Sequence, residues 1–209
     1  MKRILIAVTI VTSGVCVTTQ AIASGDPAKG KELYKVCAAC HGDNGEGNKA
    51  LNSPRNAGLG DWYLIRQLKN FKDGIRGTDP KDVYGAQMRP MAMTLVDDQA
   101  IADVVAYISS LEAATPEETV TGDVEKGKAA YAPCAACHGP TGLGNTALNA
   151  PRLAGQHDWY IVRQLKDYKS GIRGTHPDDT YGAQMRPMAM TLATDEAIND
   201  VAAYINTLE

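Results

Sequence analysis

The most constraining feature of the sequence is that it repeats itself. Shifted by 97 residues, 26–112 lies on 123–209 without a gap, about two thirds of the positions being identical. Cys37 falls on Cys134, Trp62 on Trp159, Met88 on Met185 and Tyr107 on Tyr204. A period this long exceeds the roughly 20–50 residues of a solenoid unit and fits a duplicated domain. The joint is 113–122, where Thr115, Pro116, Glu117, Glu118 and Gly122 supply a polar, helix-breaking linker. Domains over 24–112 and 123–209 follow.

Residues 1–23 stand apart from the repeat. Met1, Lys2 and Arg3 make a short positive start, an apolar, Thr-rich run covers 4–17, and Ala21-Ile22-Ala23 ends it with small residues. That order predicts a secretory signal peptide cut after Ala23 and export to a periplasm. The apolar run is shorter than the roughly 20 residues that span a bilayer, so no transmembrane segment is expected in the mature chain, and membrane contact would be loose at most. Cys16 follows bulky Val15, where lipoprotein processing wants a small residue. Cleavage removes two bases and no acid, so nineteen bases and twenty-four acids leave the mature chain at −5. A nucleic-acid binder would show the opposite excess.

Each repeat reads as helices joined by glycine-bearing loops. Asp26 before Pro27 caps a helix running toward Cys37. Asp61 is read as the cap of a second, with Tyr63, Leu64, Leu68 and Phe71 at helical spacing and Gly74 closing it. A third begins near Asp97, with Ile101, Val104, Val105, Ile108 and Leu111 on one face. Segments 42–60 and 74–93 lack periodicity and read as loops, and nothing alternates as a strand. The expected class is all-α. Only twelve aromatics occur in the chain, so two domains of this size would be marginal unless a ligand fills each core.

The chemistry points to such a ligand. Beyond Cys16, every cysteine sits in Cys37-Ala-Ala-Cys40-His41 or Cys134-Ala-Ala-Cys137-His138. This spacing is the attachment signature of c-type haem, in which two thiols take the vinyl groups as thioethers and the adjacent His ligates iron. A thioredoxin-like dithiol would need a βαβ context; a zinc site would need a fourth ligand. Apart from Met1, all methionines lie in Met-Arg-Pro-Met-Ala-Met, at 88–93 and 185–190. Met88 and Met185 are the candidate sixth ligands, with Met91 and Met188 next; the other methionines read as packing toward the last helix. Pro54 and Pro151 could offer a carbonyl to the ligating His, and Arg55 and Arg152 could pair with a haem propionate. His157 and His176 have no counterparts in the first repeat and read as surface residues.

Two Cys-Ala-Ala-Cys-His-Gly strings, Pro-Arg-x-x-Gly segments, Trp-Tyr-x-x-x-Gln-Leu helices and Met-bearing segments resemble tandem class I cytochrome c domains of the cytochrome c4 family. The resemblance implies a periplasmic electron carrier with two covalent c-type haems, ligated by His41 with Met88 and by His138 with Met185. It also implies a pseudo-twofold axis between the domains, with the propionate edges near their interface. No catalysis is implied, because both irons would be six-coordinate. Implied partners are a quinol-oxidising complex and a terminal oxidase. Two alternatives remain at this stage: a dihaem subunit of a larger oxidoreductase, such as a sulfide-oxidising flavocytochrome, and a peroxidase. The first repeat departs from the family's Pro-x-Leu-x-Gly-Gln, with Asn56 and Leu59 where the second has Leu153 and Gln156.

Overall fold

The computed structural model describes residues 24–112 and 114–208; the expected signal segment, 1–23, lies outside them. The described residues form eight α-helices and no β-strand. The first half contains α1 (Pro27–His41), α2 (Asp61–Lys72), α3 (Val83–Met93) and α4 (Asp98–Ser109). The second repeats them as α5 (Val124–His138), α6 (Asp158–Ser170), α7 (Thr180–Met190) and α8 (Asp195–Asn206), with a 3₁₀ turn at Thr146–Leu148.

Local chemistry sets most helix ends. The Asp26 carboxylate accepts from the N–H groups of Ala28 and Lys29, Pro27 opens α1, and Gly42 at φ 80° closes it. Asp97 caps α4 through Ala100 N–H at 2.8 Å. At α2 the reading shifts by one residue: Gly60 is the cap and Asp61 the first helical residue, where its charge still faces the helix N-terminus favourably.

The larger correction is α3 with its twin α7, in a stretch expected to be loop. Gly85 and Pro90 hide the helix from propensity and periodicity. The structure supplies a cap, Asp82 accepting from Gly85 N–H at 2.8 Å, and Pro90 falls in the C-terminal half of the helix. The six methionines therefore sit on helices.

In each half the first and last helices cross at close range. A Cβ on Gly30 would lie 1.9 Å from the carbonyl oxygen of Asp103, and one on Gly127 2.0 Å from that of Asp200; only glycine permits this approach. Against the crossing pack Tyr34, Leu64, Leu95, Ile101, Val104, Val105 and Ile108, and in the second half Tyr131, Ile161, Leu192, Ile198, Val201 and Ile205. Residues 114–123 are non-helical. Thr119 and Val120 within them are held by Asp158, a fully buried carboxylate at the start of α6.

The halves meet through reciprocal contacts. Arg66 donates to the Oδ1 and carbonyl of Asn149 at 3.0 and 3.1 Å, and Arg163 to those of Asn52 at 3.2 and 2.9 Å. Arg76 reaches Gln164 at 3.2 Å and Arg173 reaches Gln67 at 3.3 Å. Exchange of equivalent contacts is the signature of an approximate two-fold axis.

Candidate functional site

Both halves open onto one continuous cavity of about 340 Å³. That is more than twice the size of an engineered apolar cavity that takes up benzene, about 150 Å³. Its walls bring together Cys37, Cys40, His41 and Met88 from the first half and Cys134, Cys137, His138 and Met185 from the second, with Pro54, Arg55, Pro151 and Arg152 between them. Every residue expected to hold a cofactor lines the same space.

The histidines are set by their neighbours. His41 is 8% exposed and its Nδ1 donates to the Pro54 carbonyl at 2.7 Å; His138 is 5% exposed and donates to that of Pro151 at 2.8 Å. This bond fixes the Nδ1–H tautomer, leaving a lone pair on Nε2 for a metal. Burial holds both imidazoles below their ordinary pKa, the carbonyl bond opposing it, so each is neutral at neutral pH. Burial also pushes the Cys37 thiol up to about 11 and raises that of Cys134.

The structure divides the methionines. Met88 and Met91 line the cavity together, one turn apart on α3, and Met185 and Met188 do so on α7. Met93 and Met190 are 57% and 61% exposed and outside it, so the expectation that they pack inward is corrected: the helix carries them round to solvent.

Charge gives an independent test of fit. Six arginines line the cavity, Arg55, Arg66, Arg76, Arg152, Arg163 and Arg173, against two aspartates, Asp82 and Asp179. Asp167, outside the lining, also acts on Arg76, Arg163 and Arg173, so the arginines exceed the nearby aspartates by three, an excess that favours anions in the cavity. Two haems bring four propionates. Arg55 is 7% exposed, donates Nε to Ala57 O at 3.0 Å and Nη1 across the interface to Gly155 O at 2.7 Å. Burial and the neighbouring Arg152 lower its pKa, the response expected of a cation short of counter-charge.

Three features of the site were not legible in sequence. His157, read as a surface residue, is half-buried: it stacks on Trp159 with centroids 5.1 Å apart, and its Nε2 meets Glu46 O of the other half at 2.8 Å. Gln156 crosses to Arg55 O at 2.8 Å, whereas its counterpart Leu59 packs on its own core. The Arg66 and Arg163 clamps were also missed, although the repeat keeps both arginines and both asparagines. Their partners lie 83 and 111 residues away, beyond any local pattern.

An all-helical half with Cys-x-x-Cys-His on its first helix, a carbonyl behind the His and Met across an apolar cavity is a c-type cytochrome domain. In agreement, the cytochrome c family profile matches 27–112 and again 124–209. Over 204 residues the chain is 36% identical to cytochrome c4 of Azotobacter vinelandii, covering 92% of this chain and 93% of that one. The crystal structure of reduced recombinant cytochrome c4 from Pseudomonas stutzeri superposes with a TM-score of 0.72 at 31% identity, over 89% of this chain and 100% of the other. The chain belongs to the cytochrome c4 family. It is an all-α electron-transfer cytochrome with two tandem cytochrome c domains and two covalently bound c-type haems, and its partners are redox proteins. It is also 32% identical over 182 residues to a thiosulfate dehydrogenase electron acceptor of Stutzerimonas stutzeri, covering 81% of this chain and 77% of that one.

Proposed function

We propose that the chain is a free periplasmic carrier between a quinol-oxidising complex and a terminal oxidase. In this reading 1–23 is a signal peptide, 24–112 and 123–209 are the domains and 113–122 is the linker. Cys37 and Cys40 hold one haem and Cys134 and Cys137 the other, with His41 and Met88, and His138 and Met185, as iron ligands. The observation that supports it is the single, mostly apolar cavity lined by both candidate ligand sets, across which an electron could pass without leaving the protein.

When bound, each haem supplies one Fe(III)/Fe(II) couple. The chain's residues do the rest. Pro54 and Pro151 orient the imidazoles, Leu64, Leu95 and their counterparts Ile161 and Leu192 keep water from the cavity walls, and the arginine set balances charge. With a His and a Met both committed to each iron, no coordination position would be left for substrate, which supports a carrier rather than a peroxidase. Among the described residues no helix is long and apolar enough to cross a membrane.

The likeness to a thiosulfate dehydrogenase electron acceptor favours a second reading, in which an oxidoreductase that oxidises sulfur compounds delivers the electrons; a sulfide-oxidising flavocytochrome is one such enzyme. Membranes washed free of soluble cytochrome separate the readings. The carrier reading expects added protein to restore quinol-dependent oxygen uptake without turning over peroxide. Failure to restore it, together with co-purification with a flavoprotein, would favour the second.

A further inference from the structure

Two residues outside glycine have positive φ among the described residues, Asn52 at 55° and Asn149 at 54°. Asparagine tolerates the left-handed region better than most side chains, but the conformation still needs support. Each is held by an arginine of the other half, through both its side-chain and its backbone oxygen. The arginines are fixed in turn. Arg163 lies 4.4 Å from the ring centroid of Tyr84, in the opposite half, and 5.2 Å from that of Trp159 in its own. Arg66 lies 4.4 Å from Tyr181 and 4.9 Å from Trp62. A planar guanidinium can stack and donate in a fork at once; an ammonium cannot.

The gripped residue stands two positions before the proline that orients the ligating His. Asn52 leads through Ser53, locked by paired hydrogen bonds to Asn48 at 2.8 and 3.0 Å, to the Pro54 carbonyl on His41. Asn149 leads through Ala150, paired with Asn145 at 2.8 and 3.0 Å, to the Pro151 carbonyl on His138. Each His is thus held by a short, stiff loop whose far end is clamped by the other domain.

We infer that Arg66 and Arg163 are positioning residues acting across the interface: Arg163 sets the imidazole hydrogen bond of His41, and Arg66 that of His138. Through this clamp each domain tunes the iron of its neighbour. A stronger Nδ1–H···O bond makes the imidazole a better donor to iron and favours the ferric state. Loosening the clamp raises the potential of the opposite haem.

The inference rests on His41 and His138 being iron ligands. That reading fails separately and visibly, since His41→Ala would then leave the low-spin ferric spectrum unchanged. The test uses the haem-loaded protein and the variants Arg163→Lys and Arg66→Lys, which keep the charge and lose the fork. Asn52→Gly and Asn149→Gly join them, removing only the gripped side chain at a backbone position glycine accepts. Potentials are read haem by haem, from titrations followed by hyperfine-shifted NMR signals, with the solvent exchange of each His Nδ1 proton. Arg163→Lys and Asn52→Gly should both raise the potential of the Cys37 and Cys40 haem and speed exchange at His41, leaving the other haem in place. Arg66→Lys and Asn149→Gly should do the converse. A shift confined to the arginine's own half, equal shifts at both haems or no shift would overturn the inference. Should an arginine variant not fold, the asparagine variants alone decide it.

Discussion

The two halves contain an internal control for the worth of one buried carboxylate. Asp158 and Asp61 occupy equivalent positions at the start of α6 and α2, yet Asp158 is fully buried and Asp61 exposed. Asp158 Oδ2 accepts from the N–H groups of Thr119 and Val120 at 2.6 and 2.8 Å, and Oδ1 from the Thr119 hydroxyl and Trp159 N–H, both at 2.6 Å. Asp61 accepts from the Ser109 hydroxyl alone, at 3.0 Å. In Asp158→Asn the amide does best with its NH₂ toward the Thr119 hydroxyl, which can rotate to accept, so the Trp159 N–H loses its partner and the remaining bonds lose their charge assistance. Hydrogen bonds to a charged group are worth roughly 1.5–3 kcal/mol each. Thr119 is exposed enough to recover water, so the low end applies and the expected loss is about 2–3 kcal/mol. Asp61→Asn should cost under about 0.5 kcal/mol, as ordinary surface substitutions do.

Burial pushes the Asp158 carboxyl up, but the hydrogen bonds from Thr119, Val120 and Trp159 outweigh it and leave its pKa below the usual carboxylate value. The contribution is therefore complete above the unfolded value, about pH 4, and disappears as pH falls through the lower folded value. The assay is urea unfolding of the haem-loaded protein by far-UV circular dichroism. A slope of about 2 kcal/mol/M turns the expected loss into a midpoint shift of about 1 M at pH 7. Equal shifts for the two variants, or a gap between wild type and Asp158→Asn that persists in acid below the folded pKa, would refute the reasoning.

Two further outcomes follow from asymmetries between the halves. Asn56 lines the cavity 3.5 Å from the Tyr34 hydroxyl, where Leu153 packs on an apolar cluster; the haem on Cys37 and Cys40 should have the lower potential, and Asn56→Leu with Leu59→Gln should raise it, as a redox titration at low and high salt will show. His157 is held below its ordinary pKa by burial, against its bond to Glu46 O and the charge of Asp158, and with Arg55 and Lys49 adding to the effect. The stability linked to it should be present above about pH 6.5 and fade on acidification, whereas the thermal midpoint of His157→Gln should lack that pH dependence.

The sequence carried the helices whose signals are local. Asp26 with Pro27 marked α1, and the apolar face of 101–111 marked α4, because caps and periodicity act within a few residues. The helix at Val83–Met93 was hidden because its cap, Asp82, precedes a Gly- and Pro-bearing run whose helicity is imposed by packing against α2. The two Cys-x-x-Cys-His strings that line the cavity were legible since they keep a fixed local spacing. The interface was not: Arg66, Arg163, Gln156 and His157 find partners across the two-fold axis, and no single-sequence pattern encodes a contact over more than 80 residues. Their retention in both repeats, in the case of the arginines, was the available trace.

The central claim is that each half presents His and Met to one iron, and the Met-to-ferric-iron charge-transfer absorption of the oxidised protein tests it most directly. Met88→Ala and Met185→Ala should each remove about half of that band and lower one haem's potential, since the thioether favours the ferrous state, and the double variant should abolish it. A band that survives both substitutions, or that disappears instead with Met91→Ala and Met188→Ala on the same helix faces, would contradict the assignment.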